Sequence, residues 1–568
     1  MTRDLRFREI WVVDYEFISK DGERPWPVCM VAWELASGRR VRLWQDEFPA
    51  SPPYSIGSDS LFVAFAASAE FSCSLVLGWP RPVAVLDPYV EFRQLSNGVT
   101  PPGDVKLLNV LPAYGIQAIP EADKDYWRKL VLRGGPWSRE ERQGILDYCE
   151  TDVDVTSKLL EAMLPEIDLP RALLRGRYMH AVACMEHVGV PVDMPLWHRL
   201  QQRWDSIKAE LIAEVDATYG VYVDGSFNTR KFVEYLNKEG IPWPVLKSGD
   251  LELTDKVFDK MSDSFPQLRQ LHYLRNALDK LKLSSFTVGR DGFNRAWLRP
   301  FWTITGRNNP SPAEFIFGAA SWLRGLVKPP PGFGICYIDW VQQEFAIAAA
   351  MSGDSAKMVA YVSGDSYLWL AKETNAVPVD ATKETHELER EQFKQCTLGT
   401  QYGMQSRSLA LRIGKSEAVS RRLLRADRET YHEYWKWLND ARNCAFINAR
   451  QESVFGWRKR ITEASDNPRS AGNFFSQANG AEMMRLAAIL GTEAGIQICA
   501  PMHDAFLIMA PLERLDMDTE AMRGFMGTAS ELVLEGFRLR TEAKPFRYPE
   551  RYTCKKGAEM WEKVMKLL

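Results

Sequence analysis

The chain has 568 residues, of which 46% are hydrophobic and 26% are charged. This length predicts three or four domains of roughly 150 residues each, and the composition excludes a largely disordered chain. Lys and Arg together number 71 against 74 for Asp and Glu, which gives a formal net charge of -3 and excludes a chain that is basic throughout. A phosphate-binding surface must therefore be local, and residues 406–428 are a candidate because basic side chains outnumber acidic ones there. Charge alone fits a solvated helix face equally well.

The nine cysteines have no spacing typical of a disulfide framework or of a zinc site. This pattern predicts reduced thiols and a cytoplasmic protein. The N-terminal residues 1–8 are charged, and no apolar run approaches the roughly 18 residues that a membrane span needs. We therefore expect neither secretion nor a membrane partner.

The first predicted strand and a later predicted helix each carry two residues that suit a metal site. An apolar run at 10–13 and a second at 26–35 predict two strands joined by a turn. Asp14 and Glu16 follow the first run, two residues apart, so we expect both on one face at the end of a strand. Residues 140–164 have helical spacing, with Ser138 as a candidate N-cap, and Tyr148 and Asp152 lie one turn apart on this helix.

Carboxylates grouped in this way suit Mg²⁺ or Mn²⁺. A pair of such ions can activate a water molecule and stabilise the leaving oxygen in phosphodiester hydrolysis. Asp14 with Glu16, and Tyr148 with Asp152, are each a weak signal, and either pair taken alone favours a structural or surface role.

Pro165 and Pro170 interrupt the pattern after this helix and predict a domain boundary there. Most of the remaining chain has helical spacing, except 334–340 and 496–510, which we predict to be strands. These two segments carry Asp339 and Asp504.

A predicted helix between the two strands repeats Arg390, Lys394 and Leu398 every four residues and ends at Tyr402 and Gly403. Its two cations suit a triphosphate, and the tyrosine offers a flat surface to a base pair. Without further motifs, this spacing favours an exposed helix face over a nucleotide-binding site.

Taken in order, the N-terminal residues resemble the proofreading exonuclease domain of family A DNA polymerases, which has a ribonuclease-H-like α/β fold. The resemblance implies that the 62–71 segment supplies one more carboxylate, for which Asp87 is the alternative. The His-Asn that usually precedes this carboxylate is Phe65-Ala66 here, so the strength of the exonuclease is open. The implied residues are the metal ligands Asp14, Glu16, Glu70 and Asp152 and the catalytic Tyr148, which would orient the water.

The downstream residues resemble the polymerase domain of the same family. Asp339 with Gln342 and Glu344 is similar to motif A, residues 390–403 are similar to motif B, and His503-Asp504 is similar to motif C. Three further matches in the family's order are the TGR motif at 305–307, the RxxxNxxxQ helix at 469–477 and the opening of the polymerase domain at 185–193.

The resemblance implies template-directed DNA synthesis with two Mg²⁺ or Mn²⁺ ions per active site, deoxynucleoside triphosphates as substrates and primer–template DNA as partner. Glu344 aligns with the steric gate that excludes a 2′-hydroxyl and so favours DNA over RNA synthesis. The implied roles are metal binding and catalysis by Asp339 and Asp504, phosphate binding and catalysis by Arg390 and Lys394, further nucleotide contacts by Leu398, Tyr402, Glu344, Gln342 and His503, and DNA contacts by Arg307, Arg469, Asn473 and Gln477.

The chain departs from the family pattern at Trp340-Val341, Gln343, Leu398 and Ala505. We expect Gln343 and Leu398 to lie beside the nascent base pair, which predicts an altered nucleotide preference. The absence of a carboxylate at 505 fits either lower activity or a relocated acidic residue. Three alternatives stay open: a single-subunit RNA polymerase, a DNA-binding protein with a decayed active site, and a protein in which only the nuclease works.

The expected architecture is a multidomain protein of the α/β and α+β classes. It consists of an exonuclease domain at 1–165 and a right-hand polymerase domain at 166–568. We expect the thumb at about 185–300, the palm at about 301–354 and 455–568, and the fingers at about 355–450. The chain resembles the compact phage or plasmid members of the family, which implies a monomer that takes part in DNA replication. The resemblance also implies a cytoplasmic location, which would be the host cytoplasm if a phage encodes the protein.

Overall fold

An α/β domain begins the chain. The computed structural model describes residues 6–568 except 102, 104, 118, 119, 247, 280–285 and 463–467. The elements of this domain are β1 (Glu9–Ile18), β2 (Trp26–Glu34), β3 (Arg40–Trp44), β4 (Ser60–Val63), α1 (Ser68–Val76), β5 (Ala84–Leu86), α2 (Pro88–Ser96), α3 (Leu107–Val110), α4 (Glu121–Arg133) and α5 (Arg139–Met163).

The five strands form one sheet in the order β3-β2-β1-β4-β5. Strand β1 is central, antiparallel to β2 and parallel to β4. Residues 10–13 are fully buried, as the unbroken apolar run requires of a central strand covered on both faces. Because β1 pairs with β2 as far as Ile18, Asp14 and Glu16 lie inside the strand. The prediction that they lie at its end was wrong, but they still share a face.

Helix α5 begins where the sequence predicts. The Ser138 hydroxyl accepts a hydrogen bond from the Glu141 N–H at 3.1 Å, and the Glu141 carboxylate accepts one from the Ser138 N–H at 2.8 Å. This reciprocal capping box satisfies two N–H groups that the first turn of a helix leaves without partners. The cap therefore determines the start of the helix that carries Tyr148 and Asp152.

Helix α6 (Leu169–Val188) follows the two prolines and joins the first domain to the rest of the chain. It packs against α1 and β5, so the first domain shares its core with the segment that follows the predicted boundary. The closest approach is at Gly176, where a Cβ atom would overlap the carbonyl group of Val85. Only glycine lets the helix lie this close to the sheet.

A mainly helical segment follows. Its elements are β6 (Val190–Pro191), α7 (Met194–Tyr219), β7 (Tyr222–Val223), β8 (Ser226–Phe227), α8 (Thr229–Glu239), α9 (Asp255–Ser264), α10 (Arg269–Asp279) and β9 (Phe293–Asn294). Aromatic side chains hold α8 and α9 together, with the rings of Phe232 and Phe258 stacked at 5.5 Å and Trp243 against both. These helices lie within the predicted thumb.

The last part of the chain inserts helices between the strands of a second sheet. Its elements are β10 (Phe333–Trp340), α11 (Gln343–Ser352), α12 (Ser355–Val362), α13 (Ser366–Glu373), α14 (Glu387–Gln401), α15 (Ser406–Ile413), α16 (Glu417–Thr430), α17 (His432–Ile447), β11 (Arg450–Glu452), β12 (Arg458–Arg460), α18 (Pro468–Glu493), β13 (Gln497–Met502), β14 (Ala505–Pro511), α19 (Leu515–Val533), β15 (Thr541–Arg547) and α20 (Ala558–Leu567).

The second sheet is antiparallel, in the order β13-β14-β10-β15. Helices α18 and α19 pack together, and α19 also covers β10, β14 and β15. The prediction of one strand over 496–510 was wrong, because His503 and Asp504 form the turn of a β13–β14 hairpin. Here the backbone of His503 has a positive φ of 45°, which ends the extended conformation.

A buried lysine joins three of the inserted helices. The Lys357 ammonium lies 3.9 Å from the ring centre of Phe345 and within 4.5 Å of the rings of Tyr431 and Tyr434. Burial lowers the pKa of Lys357 to about 8, although Asp427 and Asp354 oppose this shift. An ammonium surrounded by aromatic faces ties α12 to α11 and α17 through cation–π contacts.

The close contact at Gly176 can be tested by adding one methyl group. We expect Gly176→Ala to lower the midpoint of thermal unfolding by several degrees, because the Cβ collides with backbone rather than with a mobile side chain. Gly524→Ala is the matched control, since Gly524 also lies in a helix and a Cβ there meets nothing within 4 Å. Calorimetry should show that the control is neutral or slightly stabilising. Equal effects of the two substitutions would contradict the close-packing account.

Candidate active sites

The second sheet brings its two predicted catalytic aspartates together. Asp339, near the end of β10, pairs in register with Ala505, and the Trp340 N–H donates to the Asp504 carbonyl at 3.1 Å. Burial raises the pKa of Asp339 to about 6, with smaller contributions from Asp504 and then Glu542. Burial also raises the pKa of Asp504. The raised pKa values mean that it costs free energy to keep both carboxylates charged here. A divalent cation bound to them would favour their charged forms.

A third carboxylate lies beside this pair, on a strand that the sequence analysis did not single out. Asp339 pairs with Ala505 on β14 and with Glu542 on β15. Directly paired residues of antiparallel strands point to the same face, so Ala505 and Glu542 flank Asp339 on its two sides. The acidic neighbour that is missing at 505 is thus present on the opposite strand. Only the register of β15 reveals this, because 542 lies far from every recognised motif.

Residues from three predicted motifs meet next to the aspartates. Glu344, in the first turn of α11, accepts a hydrogen bond from the hydroxyl of Tyr402 at the end of α14. The Arg307 guanidinium lies 3.6 Å from the Glu344 carboxylate. Burial raises the pKa of Asp504, and the nearby positive charge of Arg307 opposes this rise. The residues of the TGR motif, the steric gate and motif B therefore form one cluster.

The two cations of α14 each have an acidic partner. Arg390 donates to the Asp365 carboxylate and lies against the ring of Tyr367. The Lys394 ammonium lies 3.2 Å from the Glu391 carboxylate. Both pairs are at least partly accessible to solvent, so a triphosphate could replace the acidic partners.

The predicted DNA-contacting helix is α18, and it packs against the end of α14. A Cβ atom on Gly403 would lie 2.9 Å from the Arg469 side chain, and Gly403 has a positive φ of 75°. One turn apart, Arg469, Asn473 and Gln477 recur along one side of α18. Gln477 lies close enough to Tyr402 to oppose the rise in the pKa of the Tyr402 hydroxyl that burial and Glu344 cause.

A cavity of about 460 Å³ lies between α14 and α18. Arg428, Arg442 and Arg469 line it together with Trp435. Arg428 belongs to the basic stretch 406–428, whose cations are all exposed. This part of the surface is therefore basic, as the sequence analysis predicted for residues 406–428.

Three other predicted nucleotide contacts lie at the edge of the cluster. Gln342 has a positive φ of 52°, and its side chain accepts a hydrogen bond from Ser366 at 2.6 Å. His503 precedes Asp504 in the hairpin turn, and Leu398 is half-buried. Gln343, which the resemblance predicts to lie beside the nascent base pair, is buried against Gly480 of α18, and among the described atoms its amide has no hydrogen-bond partner.

The first sheet carries a separate acidic cluster. Oxygen atoms of Asp14 and Glu16 on β1 and of Asp152 on α5 all lie within 4.8 Å of one another. Burial and then the charge of Asp152 raise the pKa of Asp14 to about 8. Burial and then Asp14 raise the pKa of Glu16 as well. The sequence analysis predicted these three ligands from segments more than 130 residues apart.

The fourth predicted ligand is adjacent to this cluster but does not join it. Glu70 is buried in α1, where burial and then the charges of Asp14 and Glu16 raise its pKa. One of its carboxylate oxygens has no hydrogen-bond partner among the described atoms. The alternative, Asp87, accepts hydrogen bonds from the backbone N–H groups of Ala66, Ala67 and Tyr89 at 2.8–3.0 Å. Asp87 is thus a structural N-cap, and the alternative was wrong.

A lysine that the sequence analysis missed also enters the first cluster. The Lys124 ammonium of α4 lies 2.7 Å from the Asp152 carboxylate and 5.7 Å from the centre of the Tyr148 ring. Tyr148 is buried one turn before Asp152. Burial and then Asp152 raise the pKa of Tyr148, so this hydroxyl stays neutral. No spacing rule would have indicated Lys124, because α4 contacts the site only through tertiary packing.

Together, the antiparallel sheet that carries Asp339 and Asp504 and the inserted helix that carries Arg390 and Lys394 form a candidate active site on a mixed α/β fold. Residues 319–544 match the family model described as DNA polymerase family A. This region of the chain therefore belongs to family A of the DNA polymerases.

Three known proteins are similar to this chain in sequence. The chain is 22% identical to the "DNA polymerase" of Mycobacterium phage L5 over 382 residues, which cover 64% of this chain and 61% of the relative. The "DNA polymerase" of Mycobacterium phage D29 is also 22% identical, with coverages of 69% and 66%. The "DNA polymerase I" of Chloroflexus aurantiacus is 22% identical, with coverages of 70% and 46%. The chain thus spans less than two thirds of the length of each of these relatives.

A solved structure shows the same overall fold. The POL domain of Pol1 from M. smegmatis, in complex with DNA primer-template and dNTP, superimposes with a TM-score of 0.73 at 17% identity. The match covers 98% of this chain and 97% of that domain. The expected mixed α/β multidomain fold is confirmed. Within the described residues, none of the helices has the length and apolar character that crossing a membrane requires.

The buried carboxylates of the first cluster predict how stability depends on pH. Asp14 has an ordinary pKa of 3.8 and a folded-state pKa of about 8. Between these values the folded state binds a proton that the unfolded state has lost, so without metal the stability of this domain falls as pH rises from about 4 to about 8. We expect Asp14→Asn to remove much of this dependence and to raise the metal-free melting temperature at pH 8.

Calorimetry with and without Mg²⁺ measures both effects. A change of about 1 kcal/mol corresponds to about 2–4 °C for a domain of this size. Mg²⁺ should stabilise the wild type at pH 8 more than it stabilises the variant. An equal melting temperature of both proteins at pH 8 in the absence of metal would contradict the prediction.

Proposed function

We propose that this protein is a template-directed DNA polymerase that also carries a 3′→5′ proofreading exonuclease in its first domain. The proposed polymerase activity rests on one observation: Asp339 and Asp504 lie together with the cluster of Arg307, Glu344 and Tyr402. Family A membership of residues 319–544 supports it. The neighbour of similar fold is described in complex with DNA primer-template and dNTP, and we propose the same classes of ligand here.

In the proposed reaction, Asp339 and Asp504 would hold two Mg²⁺ or Mn²⁺ ions. Bound there, the ions would lower the pKa of the primer 3′-hydroxyl and neutralise the leaving pyrophosphate. The donor set fits these metals, because it consists of hard carboxylate oxygens in a partly buried site. Glu542 adds negative charge beside Asp339, on the side opposite to Ala505.

The helix α14 then binds the triphosphate. Arg390 and Lys394 exchange Asp365 and Glu391 for phosphate oxygens, and Lys394 is placed to donate a proton to the leaving group. Tyr402 provides the flat surface next to the nascent base pair. Arg307 and Gln477 contact the primer end in the minor groove, where acceptors are nearly independent of sequence.

Deoxynucleotide selectivity follows from Glu344. Its carboxylate is held by Tyr402 and lies near Arg307, so it cannot swing away to admit a 2′-hydroxyl. This arrangement argues against the single-subunit RNA polymerase alternative. The altered base preference that Gln343 and Leu398 suggest stays a prediction, which incorporation kinetics with each nucleotide separately would measure.

The exonuclease half rests on the acidic cluster of the first sheet. Asp14, Glu16 and Asp152 would bind the metal ions, Glu70 would complete the set, and Tyr148 would orient the attacking water. Lys124 neutralises part of the negative charge at Asp152. We propose that the enzyme acts in DNA replication of a phage or plasmid, which the two phage relatives support.

The polymerase proposal is tested by removing one carboxylate at a time. We expect Asp339→Asn and Asp504→Asn to reduce primer extension by at least about 1,000-fold, because each removes a metal ligand and leaves the DNA-contacting helices intact. Binding of primer–template DNA should change little. Asp14→Asn is the matched control and should extend primers at the wild-type rate while losing degradation. Extension by either palm variant at the wild-type rate would refute the site assignment.

The position of Glu542 makes a separate prediction. Glu542→Gln keeps the size of the side chain and removes the charge next to Asp339. We expect the Mg²⁺ concentration needed for half-maximal extension to rise by about 3- to 10-fold, since a negative charge near the ion strengthens its binding. Glu535→Gln, an exposed carboxylate that is not part of β15, is the control. An unchanged Mg²⁺ requirement would show that Glu542 does not replace the carboxylate missing at 505.

A further inference from the structure

Helix α2 of the first domain ends against the backbone that leads into the motif at residues 305–307. The residue after this helix, Asn97, is buried. Its side-chain amide donates to the Ile304 carbonyl and to the Arg458 carbonyl of β12, both at 2.7 Å. The backbone carbonyl of Asn97 in turn accepts a hydrogen bond from the Arg460 N–H at 2.9 Å. One side chain of the first domain thus bridges two separate segments of the later part of the chain.

A buried arginine of the same helix holds the backbone just before Ile304. Arg93 is fully buried, and its guanidinium donates to the carbonyls of Phe301 and Trp302 at 3.3–3.4 Å. Phe301 has a positive φ of 56°, which a residue other than glycine adopts rarely and at a cost. A buried charge is itself costly unless its hydrogen bonds are kept. The arginine and the strained backbone therefore hold each other in place.

The Ile304 carbonyl has a second donor in the later part of the chain. The Trp457 indole N–H donates to it at 2.9 Å, and the same ring lies 3.0 Å from where a Cβ atom on Gly306 would be. Arg485 of α18 donates to the Gly306 carbonyl at 2.7 Å. Side chains from three different parts of the chain thus hold this stretch of backbone, and that of Asn97 comes from the first domain.

The placement of Arg307 depends on these contacts, because Ile304 belongs to the same closed turn. The Arg307 N–H donates to the Thr303 hydroxyl at 2.9 Å, and the Thr303 N–H donates to the Arg307 carbonyl at 3.2 Å. The guanidinium of Arg307 lies 3.6 Å from the Glu344 carboxylate. A displacement of the Ile304 carbonyl would therefore move the turn at 303–307 together with the guanidinium.

We infer that Asn97 and Arg93 of the first domain are positioning residues for the polymerase reaction: they hold the turn at 303–307 so that Arg307 reaches the primer end. This role rests on the proposed function, in which Arg307 contacts the primer end. It is separate from the acidic cluster of the first domain, because neither residue belongs to that cluster. A contact displaced by about 1 Å can cost on the order of 100-fold in rate, so a small shift of the turn is enough to matter.

The first test is single-nucleotide incorporation by variants of the full chain. We expect Asn97→Ala to lower kcat about tenfold and to change the KM for the incoming nucleotide less than about twofold, because Arg307 contacts the primer end rather than the triphosphate. Arg93→Ala should show the same split, and Arg93→Lys should recover only part of the rate, since an ammonium lacks the fork that reaches two carbonyls. Arg81→Ala is the control, because it removes an ion pair between the first domain and Glu493 of α18 that does not involve the turn.

A double variant separates positioning from a general loss of stability. Arg307→Ala should slow incorporation by itself, and adding Asn97→Ala to it should cost less than about a further twofold, because effects of residues that act through one another are not additive. A fully additive loss in the double variant would overturn the inference. Incorporation by Asn97→Ala at the wild-type rate would also overturn it.

Hydrogen–deuterium exchange gives a readout that needs no polymerase activity. The backbone amides of residues 303–307 should exchange about tenfold faster in Asn97→Ala than in the wild type, because the turn has lost one of its anchors. They should exchange at the wild-type rate in Arg81→Ala. Unchanged exchange in Asn97→Ala would show that the first domain does not hold the turn and would overturn the inference. A wild type that extends no primer would instead refute the proposed function.

Discussion

The fold holds carboxylates close together in two partly buried sites. In the second sheet, antiparallel pairing of β10 with β14 and β15 places Asp339 beside the Asp504 turn and opposite Glu542. In the first sheet, β1 and α5 bring Asp14, Glu16 and Asp152 within 4.8 Å. Burial and mutual repulsion raise the pKa values of Asp14 and Asp339 in these groups, so the free energy of the rest of the fold must offset this cost. Divalent cations would relieve this cost, which is why we propose that both clusters bind metal ions.

The chain supplies its own counter-charges around these clusters. Lys124 lies against Asp152, Arg307 lies between Glu344 and Asp504, and Asp365 holds Arg390. Each of these charges belongs to a different element from its partner. A substrate that carries phosphates and metal ions could therefore exchange partners with the site without leaving a buried charge uncompensated.

Much of the proposed chemistry could be predicted because it depends on short-range patterns. The capping box at Ser138, the four-residue spacing of Arg390 and Lys394 and the two-residue spacing of Asp14 and Glu16 are local, and the elements formed as predicted. Errors arose where a turn or a cap interrupts a hydrophobic run. The strand predicted at 496–510 is a hairpin, because Asp504 occupies a turn between two apolar segments, and Asp87 caps a helix rather than binding metal.

Taken alone, the sequence determined which residue types recur at helical and strand spacing, and the order of the motifs that mark a family A polymerase. These depend on neighbours along the chain and on a backbone geometry that repeats every two or 3.6 residues. Only the tertiary structure decided that Glu542 flanks Asp339 and that Lys124 reaches Asp152. Such contacts join residues that are far apart in sequence. Strand register and helix packing set the distances between these residues, and both depend on the burial of the whole core.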